Sequence, residues 1–299
     1  MQLRHALFSI AMTLPASNLF AQAAETDQFQ RNCSIVDGVV VCESQADPYA
    51  GLSPTDRGKA VYAEVDQKHG PLMGYGGPGY GDSQSKFTAV ITTDSGKQFT
   101  REVRLKYLEN SPDGNMRIVV FDKPRDLKRH ALLTISHKQG LDEQWSYDPE
   151  TKQVARMNSN NAFTPFSGSE IAFEDISSQD IDKYRYEFVR EENYQGKTIQ
   201  IVNRFPKDRH SGYSRLETWV DADTYLVSKV DYYDKSGKLL KTLSLNGYQL
   251  YDDKYWRAQN MFMKNHQNGR STKLTWSDYR FNTGLSKNDF NPSSLRNIN

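Results

Sequence analysis

The sequence predicts a mainly β fold built on a strongly curved antiparallel sheet. Three observations carry this. From Lys86 to Phe281 apolar residues recur with a period of two, broken by turn signals at the spacing of an all-β domain. Aromatic residues make up 12% of the chain, with 17 Tyr, 14 Phe and 4 Trp, and large rings favour pleated surfaces. The segments amount to a meander of about ten strands, too many for one open sheet to stay flat. A curved sheet or an incomplete barrel follows.

The N-terminus reads as an export signal. Arg4 supplies a positive n-region, Ala6 to Leu14 is a short apolar run, and Ala21-Gln22-Ala23 is an A-x-A site, so cleavage is expected after Ala23. No stretch approaches the roughly 20 apolar residues of a membrane helix, and the mature chain is not expected to be an integral membrane protein. Cys33 follows Gln30-Arg31-Asn32, which is not a lipoprotein cleavage pattern, so no lipid anchor is expected. The formal charge of +1 falls to zero once Arg4 leaves (1 − 1 = 0). Such a balance gives no reason to expect nucleic acid as a partner.

Residues 33–42 read as a hairpin. Asp37-Gly38 is a strong two-residue turn signal, because a type I′ turn needs positive φ at both central positions. Counting outward, Val36 faces Val39, Ile35 faces Val40, Ser34 faces Val41 and Cys33 faces Cys42. If Val36 and Val39 form the hydrogen-bonded pair, the cysteines fall at a non-hydrogen-bonded pair with Cα atoms about 4.5 Å apart, inside the disulfide window of about 4.4–6.8 Å. A disulfide between Cys33 and Cys42 is expected, as suits an oxidising compartment. The rival reading is a metal site, for which two thiols alone supply too few ligands.

Ser53 as N-cap and Pro54 at the first helical position open a short helix with Val61 and Val65 on one face, ending before Gly70-Pro71. The stretch from Gly70 to Gly81 contains G-x-G-x-x-G at Gly74, Gly76 and Gly79. A helix precedes it, Pro78 interrupts it and a strand follows, so it reads as a connection, not a dinucleotide loop. Strands are then expected at Phe87 to Thr92, Phe99 to Leu108, Met116 to Phe121, Ala131 to Ile135, Trp145 to Tyr147 and Val154 to Met157. A helical segment is expected at Phe173 to Ile181. Strands resume at Tyr184 to Arg190, Thr198 to Arg204, Arg215 to Val220, Leu226 to Tyr233, Leu239 to Leu250, Trp256 to Lys264 and Thr272 to Phe281. The organisation is therefore a signal at 1–23, the disulfide hairpin at 24–52, a helix and Gly-rich connection at 53–82, and the sheet domain at 83–299.

Catalytic motifs fail their context tests. His69, His130, His137, His210 and His266 show no H-E-x-x-H spacing, and Ser167-Gly168-Ser169-Glu170 is not a G-x-S-x-G elbow. Ser83-Gln84-Ser85-Lys86 matches S-x-x-K without its companion motifs. Asp221-Ala222-Asp223 reads as turn chemistry between two strands. No enzyme, metal or cofactor is expected.

Two blocks of spaced residues remain. The first is Phe121-Asp122-Lys123-Pro124-Arg125-Asp126, Gln144-Trp145-Ser146-Tyr147, Arg156, Phe166-Ser167-Gly168-Ser169-Glu170 and Phe173-Glu174-Asp175. The second is Ser211-Gly212-Tyr213, Trp219-Val220-Asp221, Tyr232-Tyr233-Asp234, Leu240-Lys241-Thr242-Leu243, Met263-Lys264-Asn265-His266, Thr272-Lys273-Leu274-Thr275-Trp276 and Phe290-Asn291-Pro292. Together they resemble the LolA-like outer-membrane lipoprotein-sorting proteins, over the chain from about Phe87 onward. The resemblance implies an unclosed half β-barrel whose open side is covered by short lid helices, with Ser53 to Lys68 and Phe173 to Ile181 as candidates. It implies a periplasmic carrier of lipid or lipoprotein acyl chains, without enzymatic activity. It also implies a membrane exporter of the resistance-nodulation-division type as donor or acceptor. The alternative is a periplasmic lipid sensor controlling a membrane signalling partner. A monomer is expected.

Strand parity nominates the cavity lining: Leu105, Tyr107, Val120, Trp145, Tyr147, Tyr186, Phe188, Trp219, Val230, Tyr232, Leu245, Met261, Met263 and Trp276. Core packing would explain each singly, because interiors are normally filled. The cavity itself is implied by the resemblance.

Overall fold

A computed structural model of the chain describes residues 33–36, 39–42, 47–69, 81–110, 114–137, 142–157, 163–176 and 180–298. The signal at 1–23, the Asp37-Gly38 turn and nearly all of the Gly-rich stretch lie outside them. The chain divides into two units, Met1–Gly51 and Leu52–Asn299. Strands β1 (Cys33–Val36) and β2 (Val39–Cys42) of the first unit pair antiparallel, with Cys33 opposite Cys42 as counted from the sequence.

The second unit opens with helix α1 (Pro54–His69). Ser53 caps it: its Oγ accepts from Asp56 N (3.1 Å) and donates to the Asp56 carboxylate (2.6 Å). Thirteen strands follow in one antiparallel sheet: β3 (Asp82–Thr92), β4 (Gln98–Asn110), β5 (Gly114–Lys123), β6 (Ala131–Ile135), β7 (Glu143–Asp148), β8 (Gln153–Arg156), β9 (Tyr184–Tyr194), β10 (Lys197–Pro206), β11 (Tyr213–Asp221), β12 (Val227–Asp234), β13 (Leu239–Tyr251), β14 (Tyr255–Asn265) and β15 (Ser271–Phe281). The sheet has thirteen strands, one for each segment named above as a strand, although a meander of about ten was expected. Their order is β8-β7-β6-β5-β4-β3-β15-β14-β13-β12-β11-β10-β9. Two meanders are thus joined along β3 and β15, and β8 and β9, consecutive in the chain, form the two free edges. The sheet is an unclosed barrel.

Register defines one face across most of the strands. A single row runs Ile91, Thr272, Met263, Leu243, Val230, Thr218, Val202 and Phe188, from β3 to β9. On this inner face sits α1, with Val61, Tyr62 and Val65 buried. The Tyr62 and Tyr186 rings lie 5.3 Å apart, and the Arg57 guanidinium stacks 3.8 Å over Phe188. Gly58 permits that approach, since a Cβ there would lie 2.7 Å from the Phe188 backbone nitrogen.

The link from β8 to β9 crosses the same face. Its Phe166 stacks on Phe121 of β5 (ring centroids 5.6 Å), while Asp175 accepts from the Tyr213 hydroxyl of β11 (2.7 Å). Seven strand spacings, about 34 Å on a flat sheet, separate those strands. The ten residues from Phe166 to Asp175, folded into turns, span them here, so the sheet is curled around this crossing segment.

The helix expected at Phe173 to Ile181 is not formed among the described residues. Phe173 to Ile176 are turns, and Ile181–Lys183 is one 3-10 turn capped by Asp180, whose carboxylate accepts from Asp182 N (2.9 Å). The Asp175 carboxylate, within the segment expected to be helical, is instead drawn to distant strands. Residues 290–298 cover the outer face of β5 to β7, where Phe290, Leu295 and Ile298 pack with Ile118, Val120, Leu133 and Tyr147. Both faces of β5 are therefore buried, from Ile118 through Phe121. Among the described residues no helix is long and apolar enough to cross a membrane.

Candidate functional site

The crossing segment is shaped by its own backbone before it touches the sheet. Ser167 and Gly168 both take positive φ (51° and 76°), which turns the chain back on itself and suits glycine at the second position. The Ser169 hydroxyl donates to the Phe166 carbonyl (2.7 Å) and accepts from Ile171 N (3.1 Å), while Phe166 N donates to the Ile171 carbonyl (2.6 Å). This tight loop points Phe166 and Ile171 at the inner face.

Polar ties hold the segment down. The Glu170 carboxylate accepts from Arg270 Nε (2.6 Å) and from the side-chain amides of Asn265 (2.7 Å) and Asn268 (3.2 Å), and Glu170 N donates to Thr272 Oγ1 (2.9 Å). Buried Asp175 pairs with Lys241 Nζ at 2.6 Å and accepts from Ala172 N (2.7 Å), and the same ammonium donates to the Glu170 carbonyl (3.0 Å). Glu174 accepts from the Ser211 hydroxyl and from Gly212 N (2.9 Å). Ser211, Gly212, Tyr213, Lys241, Asn265 and Thr272 all belong to the second block of spaced residues, and Glu170, Glu174 and Asp175 to the first. The two blocks are thus two halves of one latch.

Burial pushes the Glu174 carboxyl up to about 7 from its usual 4.5, opposed by the Ser211 and Gly212 hydrogen bonds, with the Asp175 charge raising it further and Lys241 lowering it. Between those values the native state binds more protons than the unfolded chain, so stability falls as pH rises from 4.5 to about 7 and is level above. The contribution is at most about 3 kcal/mol. The isosteric substitution Glu174→Gln should remove this part of the slope. Urea denaturation of both proteins at pH 5, 6, 7 and 8 checks it, and curves that stay parallel across the range would contradict it.

Between the segment and the sheet lies a small, mainly apolar cavity of about 20 Å³, lined by Phe87, Ala89, Ile91, Val103, Phe121 and Leu274 below, by Phe166, Ile171 and Ile176 above, and by Arg101, Ser167 and Ser169. None of the fourteen residues nominated from strand parity lines this space. Ten of them share its face: Leu105, Tyr107, Tyr186, Phe188, Val230, Tyr232, Leu245, Met261, Met263 and Trp276. Elsewhere on that face Tyr186 and Leu105 border other, more polar hollows, while Val230, Tyr232 and Met263 are fully buried. The other four lie on the opposite face. Val120, Trp145 and Tyr147 belong to the core under residues 290–298, and Trp219 packs outside against Lys229 Nζ (3.6 Å from the ring centre) and Tyr194. Parity had signalled part of what was missed, since Val103 alternates with Leu105, and Leu274 with Trp276.

The S-x-x-K match does not form a site. Ser83 and Lys86 are three apart on β3 and therefore point to opposite faces, and Lys86 pairs with Asp278 (2.9 Å). Asp221 caps its turn, accepting from Asp223 N (3.1 Å) and Thr224 N (3.0 Å) and pairing with Lys197 (2.7 Å).

An unclosed barrel with a latched segment across an apolar hollow defines the LolA-like class of fold. A domain named as an outer membrane lipoprotein-sorting protein domain, from Vibrio parahaemolyticus, is 40% identical, covers 81% of this chain and 99% of its own, and superposes with a TM-score of 0.75. A DUF1329 family protein from Desulfovibrio piger is 30% identical, over 82% of this chain and 100% of its own, with a TM-score of 0.74. A LolA superfamily protein from Nitrosomonas europaea, 17% identical with a TM-score of 0.62 over 81% of this chain and 98% of its own, shares the fold. A family model described as uncharacterized-protein-like matches residues 113–297. No curated protein matches. The chain belongs to the outer-membrane lipoprotein-sorting protein family of that 40% identical domain, and its fold is LolA-like.

Proposed function

We propose that this protein is a periplasmic carrier that shelters the acyl chains of a lipid or lipoprotein beneath the crossing segment and passes them between membrane-associated partners, an exporter of the resistance-nodulation-division type among them. The observation that carries the reading is the apolar hollow closed by a segment held to the sheet through polar ties. Each buried CH₂ is worth about 0.8 kcal/mol, so an acyl chain is costly to move through water uncovered. The hollow is small in the closed form, so loading requires the segment to lift and its apolar underside to line an enlarged space. Polar ties suit that cycle, because Glu170, Glu174 and Lys241 can exchange their partners for water on lifting, whereas an apolar seal would oppose it. Carriage needs no covalent chemistry, and none is assigned.

The test is native mass spectrometry of the protein expressed with its N-terminus intact and purified from a bacterial periplasm, followed by organic extraction. A stoichiometric lipid adduct is the expected result. A protein that is bare as purified and stays bare after incubation with lipid vesicles and lipopeptides would overturn the reading. The intact mass also tests cleavage after Ala23 and the proposed Cys33–Cys42 disulfide.

A further inference from the structure

Of the side chains lining the hollow, one is charged. Arg101 stands on the inner face of β4, opposite Ala89 of β3, beside Ser167 and Ser169 of the crossing segment. One of its Nη atoms donates to the Thr100 carbonyl (3.2 Å), while its Nε is buried and has no hydrogen-bond partner among the described residues. It forms no ion pair there either. The other inner cations near the segment are differently placed: Lys241 is held by Asp175, and Arg270 by Glu170. A guanidinium nitrogen turned out of water without an acceptor is costly, and it sits at the rim of a space otherwise fit for hydrocarbon.

Resting on the carrier reading above, we infer that Arg101 is the head-group site of that hollow, and that the cargo is an amphiphile whose acyl chain lies among Phe87, Ile91, Val103 and Leu274 while its anionic head, a carboxylate or phosphate, accepts from Arg101. The planar guanidinium suits both anions, since each presents two oxygens to it. The Ser167 hydroxyl at the rim is a second donor for the same head. A neutral amphiphile of equal chain length would leave Nε unmatched and bind more weakly.

The experiment measures binding of palmitate, hexadecyl phosphate and hexadecanol to the mature protein by displacement of a fluorescent fatty acid, with inorganic phosphate as a chainless competitor. Palmitate, hexadecyl phosphate or both should bind about tenfold more tightly than hexadecanol, and which of them does so identifies the head group. Inorganic phosphate should not compete. In Arg101→Met the preference should vanish while hexadecanol affinity holds, and Arg101→Lys should keep most of it, with circular dichroism confirming the fold of each. Equal affinities in the unaltered protein, or a preference that survives Arg101→Met, would overturn the assignment and leave the carrier reading standing. Competition by inorganic phosphate at the affinity of the amphiphiles would mean a bare ion site and overturn it as well. Failure of all three amphiphiles to bind would remove the carrier reading itself.

Discussion

Asp175→Ala is expected to destabilise the protein by about 3–5 kcal/mol, the usual cost of leaving one member of a buried ion pair alone. The carboxylate lost is the 2.6 Å partner of Lys241, whose side chain is only 5% exposed. The Tyr213 hydroxyl and Ala172 N lose an acceptor at the same time. Native domains are stable by about 5–15 kcal/mol in total, so the effect should appear as a large fall in the urea midpoint. Where the loss is confined to the crossing segment, limited proteolysis within residues 163–176 should report it before global unfolding does. Adding Lys241→Met to Asp175→Ala should recover part of the loss by removing the stranded charge, and the double variant therefore separates the ion pair from the packing around it. A single-variant shift below about 1 kcal/mol, with proteolysis unchanged, would mean that the pair is not what holds the segment.

Ala89→Phe should leave the fold intact and reduce acyl-chain binding by more than tenfold. Ala89 lines the hollow directly, and a ring placed there fills it and presses on its walls. Overpacking of this kind costs about 1–3 kcal/mol, less than the roughly 5–15 kcal/mol by which a domain is stable, so the fold survives. Phe occupies the space a hydrocarbon chain would take, so the loss is one of capacity. Trp219→Phe and Trp145→Phe, on the opposite face, should bind the same probe as the unaltered protein does. Fluorescent fatty-acid titration of the three variants decides the matter, and wild-type binding by Ala89→Phe would place the cargo elsewhere.

The strands were legible because period-two alternation and turn residues are local signals. Each segment read as a strand from Phe87 to Phe281 overlaps one of the thirteen strands, and only Met157 and Leu226 fall one residue outside. The face each strand presents was legible only where one face is polar. On β5 the run Ile118-Val119-Val120-Phe121 is buried throughout, because residues 290–298 cover one side and the barrel interior the other, and alternation carries no information there. Val120 was assigned to the hollow for that reason, and Trp145 and Tyr147 because the apolar face of β7 is the outer one, covered by residues 290–298. The segment at Phe173 to Ile181 failed differently. Glu174-Asp175 suits the first turn of a helix, but its partners Ser211, Tyr213 and Lys241 lie 37 to 66 residues away, and only the folded sheet brings them near. The spaced residues that carry the family resemblance were visible individually; their pairing across the barrel was not.

The join between β3 and β15 has a consequence for how the chain folds. Each meander is built from hairpins whose partners are near in sequence, and such pairings close quickly. The join is another matter, since Ile91 meets Thr272 across a sequence separation of 181 positions (272 − 91). Loop-closure entropy delays contacts of that separation. Until β15 arrives, β3 is an unsatisfied edge bearing Phe87, Ala89 and Ile91, the same side chains that later floor the hollow. During folding, the lipophilic floor is thus the last part of the sheet to be sealed.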